Sequence, residues 1–297
     1  MGVGVRDVLK PLSRVVDCDA LREEYERKPL AQVVAELEEN SRDGFSLEVR
    51  RVDDRWLYLI ANKSNDCFWP SYLTAYFYCA KQLWLQHLLK ATVVGERGLR
   101  CLARGVKAHK IYAEYLEGRG LPVEREVHVH GVFNGVEVDG YIDLLAEGVP
   151  VEVKSGYKEH LGHRLQAMLY AVLVDSRTAY IVYPHRVVRV AVDEGLLGVY
   201  VQRVLKVIGL EEPPPEPPAK RNSRGEKVKP CDICEVRVLC AKYPSKFKTW
   251  DSFLTYIGEL PRGEKCLKCP HLEYCRAFKA RHGARPCMSR QRLLEHA

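Results

Sequence analysis

The sequence predicts a mixed α/β fold, with a mixed central sheet flanked by helices and a cysteine-rich C-terminal extension. Three observations predict it. Hydrophobic periodicity switches between helical and strand-like spacing throughout the first 210 residues. A run of prolines, Glu211-Glu-Pro-Pro-Pro-Glu-Pro-Pro218, then closes that region, since proline neither continues a helix nor donates to a sheet ladder. Beyond it the spacing C-x2-C-x5-C occurs twice, at Cys231/Cys234/Cys240 and at Cys266/Cys269/Cys275. With 297 residues, 46% hydrophobic and 29% charged, the chain is long and apolar enough to bury a sizeable core.

The elements follow in order. Residues 19–39 have helical period, with a break at Pro29. Residues 46–52 and 56–61 flank Asp53-Asp54-Arg55 and read as a hairpin. Residues 70–90 and 94–117 read as two helices rich in Leu and Tyr. Strand-like runs occupy 124–130, 136–146 and 149–154. Residues 160–175 return to helical spacing, strands follow at 179–183 and 187–192, and a last helix spans 193–208. The core order is thus α-α-β-β-β-α-β-β-α. The expected organisation is an N-terminal extension at 1–66, a core at 67–210 and a proline connector at 211–218. A cysteine segment at 219–242 then closes the core, and a basic extension fills 243–297.

Charge and cysteines are unevenly placed. Residues 1–218 carry 28 Lys+Arg against 31 Asp+Glu; residues 219–297 carry 18 against 8. The overall +7 is therefore a slightly acidic core joined to a tail of net +10. Such a tail favours an acidic partner. Its cations interleave with Tyr243, Phe247, Trp250, Phe253, Tyr256, Tyr274 and Phe278, a composition suited to single-stranded nucleic acid or, alternatively, to a small aromatic core. An odd total of 11 cysteines excludes complete disulfide pairing within one chain. No segment resembles a membrane span or a signal-peptide h-region, so a cytoplasmic location is expected, where clustered cysteines usually bind metal.

The chemistry concentrates in Gly135-Val-Glu-Val-Asp139-Gly-Tyr-Ile-Asp143 and Val151-Glu152-Val-Lys154. Alternate side chains of a strand share a face, so Glu152 and Lys154 point the same way from an apolar strand. An antiparallel neighbour would bring Asp143 beside Glu152. Two carboxylates form a hard oxygen site for Mg2+ or Mn2+, and a neighbouring lysine can orient water or stabilise phosphate charge. A cross-strand salt bridge is the plainer reading of the Glu-Val-Lys triplet alone. Asp139 shares a face with Asp143 and competes with it as a ligand.

His109 lies on the helix before these strands, four residues after Gly105, and Gln166 and Tyr170 form an i, i+4 pair on the helix after them. Together the ordered set Gly105/His109, Gly140/Asp143, Glu152/Lys154 and Gln166/Tyr170 resembles the RecB-type nuclease domain of the PD-(D/E)XK superfamily, a restriction-endonuclease-like fold. The resemblance implies that His109, Asp143 and Glu152 bind the divalent metal and that Lys154 helps activate water. It also implies that Gln166 and Tyr170 position DNA, so that Asp143, Glu152, Lys154, Gln166 and Tyr170 form the catalytic set.

Cys79 precedes these motifs and Cys231, Cys234 and Cys240 follow them, an order similar to the iron–sulfur members of the family. Those include exonucleases associated with CRISPR adaptation modules and nuclease domains of some helicases. The resemblance implies a 4Fe–4S cluster on Cys79, Cys231, Cys234 and Cys240. The second triad, Cys266, Cys269 and Cys275, fits the same template and could take Cys79 instead. Otherwise it closes a second cluster or zinc site with Cys287, or with His271 or His282. Cys18, Cys67 and Cys101 are expected to be plain buried thiols. No G-x4-G-K-[ST] loop is present, so no P-loop motor accompanies the nuclease motifs on this chain. The reading that results is an antiviral-defence DNA exonuclease acting on single-stranded ends before CRISPR spacer integration, with integrase subunits as partners. The alternatives are a non-catalytic nucleic-acid-binding subunit of such a complex, or a repair nuclease working with a separate helicase.

Overall fold

The computed structural model describes residues 9–41, 46–52, 55–61, 67–221, 227–228, 231, 234–241, 252 and 255–256. Cys266, Cys269, Cys275, Cys287, His271 and His282 lie outside the described residues, as does nearly all of the basic extension.

After a short 3-10 helix at Lys10–Arg14 come α1 (Cys18–Arg27) and α2 (Leu30–Asn40). Asp17 starts α1 by accepting hydrogen bonds from the amides of Asp19 and Ala20, and Pro29 separates the two helices as its locked backbone requires. Strands β1 (Leu47–Val52) and β2 (Arg55–Ala61) form the expected antiparallel hairpin. The segment read as one helix at 70–90 is two, α3 (Ser71–Tyr78) and α4 (Ala80–Leu89), broken at Cys79, whose backbone is extended. The helix expected over 94–117 starts two residues later: β3 (Ala91–Val94) pairs with β2, and α5 runs over Glu96–Glu117. The resulting three-stranded sheet draws on both sides of the boundary placed at residue 66.

The main sheet has five strands in the order β4 (Val123–Phe133), β5 (Val136–Ala146), β6 (Val149–Val153), β7 (Thr178–Tyr183) and β8 (Arg186–Ala191). All neighbours are antiparallel except β6 and β7, which are parallel and joined by α6 (Leu161–Leu173). Both β4–β5 and β5–β6 turn on two residues of positive φ, Asn134-Gly135 and Glu147-Gly148, the twist that tight hairpins favour. Helix α7 (Glu194–Ile208) completes this region, capped by Asp193.

Successive residues of β7 alternate between two cores. Tyr180 and Val182 pack with α1, α2 and α5, through Leu99, Tyr112 and Leu116 among others. Ala179, Ile181 and Tyr183 pack with α3, α6 and α7. A third cluster joins Leu57, Leu59 and Val93 of the small sheet to Trp84 and Leu85 of α4 and to Val236 and Leu239 near α8 (Arg237–Cys240). No helix among the described residues is long and apolar enough to cross a membrane.

Candidate active site

The β5–β6 ladder runs from Ala146↔Val149 to Leu144↔Val151, and the next step places Asp143 opposite Glu152. There the strands part. The Asp143 carboxylate fills the gap, its Oδ2 accepting the amide of Val153 at 2.7 Å. Gly140 is needed three residues earlier: a Cβ there would lie 2.9 Å from Pro70 and 3.2 Å from the Tyr170 ring. Gly105 has open space around it.

Glu152 is 3% exposed. Its Oε1 accepts from Lys154 Nζ at 2.8 Å and from Gln166 Nε2 at 3.1 Å. Gln166 in turn accepts from Lys154 Nζ at 3.2 Å and from Thr74 at 2.8 Å, so one amide on α6 fixes both members of the Glu-x-Lys pair. The other Glu152 oxygen, Oε2, is buried with no hydrogen-bond partner among the described residues. An ionised carboxylate oxygen in that state is costly, and either a proton or a cation relieves it. Burial, reinforced by the Asp143 charge and opposed by Lys154, raises the Glu152 carboxyl to about 8. Burial works against the Lys154 ammonium, but Glu152 and Asp143 outweigh it and raise its pKa.

His109, on α5, completes the group. Its Nδ1 lies 2.6 Å from Glu126 Oε1, and its Nε2 lies 3.5 Å from Asp143 Oδ2. Burial penalises the charged ring, yet Asp143 and then Glu126 overcome that and lift its pKa to about 9. Ligand atoms of His109, Glu126 and Asp143 lie within 4.8 Å of one another, the one such set of three among the described residues. The Asp143 carboxylate, the His109 imidazole and the orphaned Glu152 oxygen are donors of the kind a divalent cation such as Mg2+ or Mn2+ takes, with Glu126 bonded to the far side of the histidine.

The structure thus brings His109, Asp143, Glu152, Lys154 and Gln166 together. Asp139 is elsewhere, its Oδ2 3.0 Å from His128 Nε2 and 3.6 Å from His130 Nδ1, and it does not join the group around Glu152 and His109. Tyr170 is buried on the same helix as Gln166, packs with Val129 and Ile142 and backs the close approach at Gly140. Glu126 carries no motif and was missed. The signal that betrays it, a left-handed backbone within a strand, is not written in the sequence.

Of the cysteines, Cys79 caps α4, its Sγ accepting the Gln82 amide at 3.4 Å. Cys79, Cys231, Cys234 and Cys240 are all free thiols. Burial and then the neighbouring sulfurs Cys234 and Cys79 push the Cys240 thiol up to about 12; burial also raises Cys231, reinforced first by Glu216 and then by Cys79, and raises Cys234, reinforced by Cys79. A lone tetrahedral zinc would hold thiolates about 3.8 Å apart, given its bond lengths. No three of these four sulfurs lie mutually within 4.8 Å. Cys18 and Cys67 are buried as expected, but Cys101 is exposed.

No protein-family model matches the chain. Among solved structures the chain is similar to one described as the crystal structure of SSO0001, at 14% identity and a TM-score of 0.41, over 70% of this chain and 93% of that one.

Proposed function

We propose that the chain is a divalent-metal-dependent deoxyribonuclease with a PD-(D/E)XK core and a 4Fe–4S cluster, degrading DNA from single-stranded ends. One observation carries the reading. His109, Asp143, Glu152 and Lys154, drawn from a helix and two parting strands, converge on a site where Glu152 keeps a buried, unpartnered oxygen. The order of elements supports the core assignment: two antiparallel strands carrying Asp143 and Glu152, then a helical crossover to a parallel strand.

His109 Nε2, Asp143 and Glu152 would hold Mg2+ or Mn2+, which supplies Lewis-acid polarisation of the phosphodiester and acidifies a water. Lys154, fixed by Glu152 and Gln166, keeps an ammonium where negative charge develops on phosphate oxygens. In hydrolysis a water oxygen bonds phosphorus, the bond to the leaving sugar oxygen breaks, and that oxygen takes a proton. The net +10 of residues 219–297 supplies phosphate-neutralising charge. Trimming DNA ends before CRISPR spacer integration is the use this reading assigns, with integrase subunits as partners.

End-labelled single-stranded DNA incubated with Mn2+ or Mg2+ tests the proposal. Progressive shortening by the parent, and at least about a 1,000-fold loss in Glu152→Ala, are expected from removal of a ligand that also orders Lys154. An inactive parent, or an equally active Glu152→Ala, overturns it.

A further inference from the structure

We propose that Glu126 is the positioning residue of the metal site: its carboxylate decides which nitrogen of His109 meets the metal. The inference rests on the metal-site reading above and deepens it.

The first observation is the bond itself. Glu126 Oε1 is 2.6 Å from His109 Nδ1, while Nε2 faces Asp143 at 3.5 Å. A carboxylate is an acceptor, so the proton of that bond sits on Nδ1 whatever charge the ring carries. Nε2 is then the nitrogen whose lone pair is released toward Asp143 when a metal arrives. Carboxylate–histidine–metal arrangements work in this way, fixing both tautomer and ring orientation.

The second observation is independent and concerns the backbone. Glu126 has φ +50° in the middle of β4, while Arg125 pairs with Leu144 and Val127 with Ile142. Glu126 therefore stands opposite Asp143, at the one step between Val123 and Phe133 where the ladder records no pairing. The other non-glycine residues of positive φ, Lys90, Asn134, Glu147 and Asp175, end helices or form turns. Glu126 alone among the described residues holds this conformation inside a regular element. A left-handed glutamate within a strand is a strained choice, and such strain persists where a surrounding site imposes it. Its side chain is only 18% exposed, turned in to the histidine rather than out to solvent.

The two roles open to Glu126, positioning and mere structure, separate because the strain and the carboxylate can be removed together. Glycine adopts φ +50° freely, so Glu126→Gly relieves the backbone while deleting the bond. Mn2+ binding to the full chain, followed by loss of the free-ion EPR signal, is measured beside the thermal midpoint for the parent, Glu126→Gly, Glu126→Gln and Glu152→Ala. The expected result is a cooperatively folding Glu126→Gly, its relieved backbone offsetting part of the lost bond, with Mn2+ affinity weakened about 10–100-fold. Glu126→Gln, which retains an acceptor oxygen without the charge, should fall between parent and glycine variant. Unchanged Mn2+ affinity in Glu126→Gly overturns the proposal while leaving the site reading intact, provided Glu152→Ala loses binding. A Glu126→Gln as defective as Glu152→Ala would make Glu126 a direct ligand and overturn positioning. A parent that binds no Mn2+, or a Glu152→Ala that binds normally, overturns the site reading and this inference with it.

Discussion

Glu152 and His109 share an electrostatic predicament that shapes how the metal-free protein responds to pH. Glu152 titrates near 8 in the folded chain against an ordinary 4.5, so between those values the folded state holds a proton that the unfolded state has lost. His109, raised from 6.5 to about 9, behaves in the same way over the upper part of the range. Both contributions therefore disappear as pH rises, and the metal-free midpoint should fall between pH 6 and 9. A divalent metal displaces those protons, so the stabilisation by Mn2+ should widen over the same interval. Differential scanning calorimetry with and without Mn2+ checks this; a gap that is constant or narrows with pH would contradict it. At this scale the sequence was partly legible. Asp143, Glu152 and Lys154 stood out because strand alternation puts acid and base on one face of an apolar strand. Glu126 did not, because one more glutamate in a half-exposed strand looks like solvent-facing polarity until its backbone is seen.

Helix α5 carries His109 at its middle and is held at its start by a residue 138 positions away. Glu235, between Cys234 and Cys240, accepts the amides of Arg97 at 2.9 Å and Gly98 at 3.0 Å. It thereby serves as the N-cap that Gly95 cannot supply. The approach is tight: a Cβ on Gly95 would fall 2.4 Å from Glu235 Cβ. Glu235→Ala should lower stability by about 1 kcal/mol, the usual cost of losing a cap. It should also speed hydrogen exchange at the amides of Arg97 and Gly98. Unaltered exchange there would remove the cap from the account. The elements were less legible where they depend on distant partners. Three of the four residues of β3 (Ala-Thr-Val-Val) are apolar and the run continues into a helix, so only its pairing with β2 makes it a strand. The break at Cys79 was likewise hidden inside a continuous helical period.

For the whole molecule, the cysteine segment is a clasp. Cys79 lies at the α3–α4 junction, whereas Cys231, Cys234 and Cys240 follow the last helix of the core. Between them the Trp84 indole donates to the Leu210 carbonyl at 2.9 Å. Val236 and Leu239 pack on Trp84, Leu85 and the small sheet, so the N-terminal strands and the C-terminal loop share one apolar cluster. Loss of the proposed cluster should therefore loosen both ends together. Anaerobically purified parent should contain about four iron atoms per cluster, as the 4Fe–4S composition requires, and Cys79→Ala should lose them and melt earlier. Iron-free protein, or Cys79→Ala with full iron, would contradict the cluster. The α/β class and the order of the core strands were legible because period-2 and period-3.6 stretches alternate cleanly. The packing of the ends was not, since nothing local in 46–61 announces the loop it meets.

The central claim is that His109, Asp143, Glu152 and Lys154 form a metal-dependent nuclease site, and degradation of end-labelled single-stranded DNA tests it most directly. Parent and Glu152→Ala should be run side by side with Mn2+ and again with EDTA. The parent should shorten the DNA with Mn2+ and leave it whole with EDTA, and Glu152→Ala should leave it whole in both. Cleavage that survives either EDTA or Glu152→Ala would contradict it, as would a parent that leaves the DNA whole.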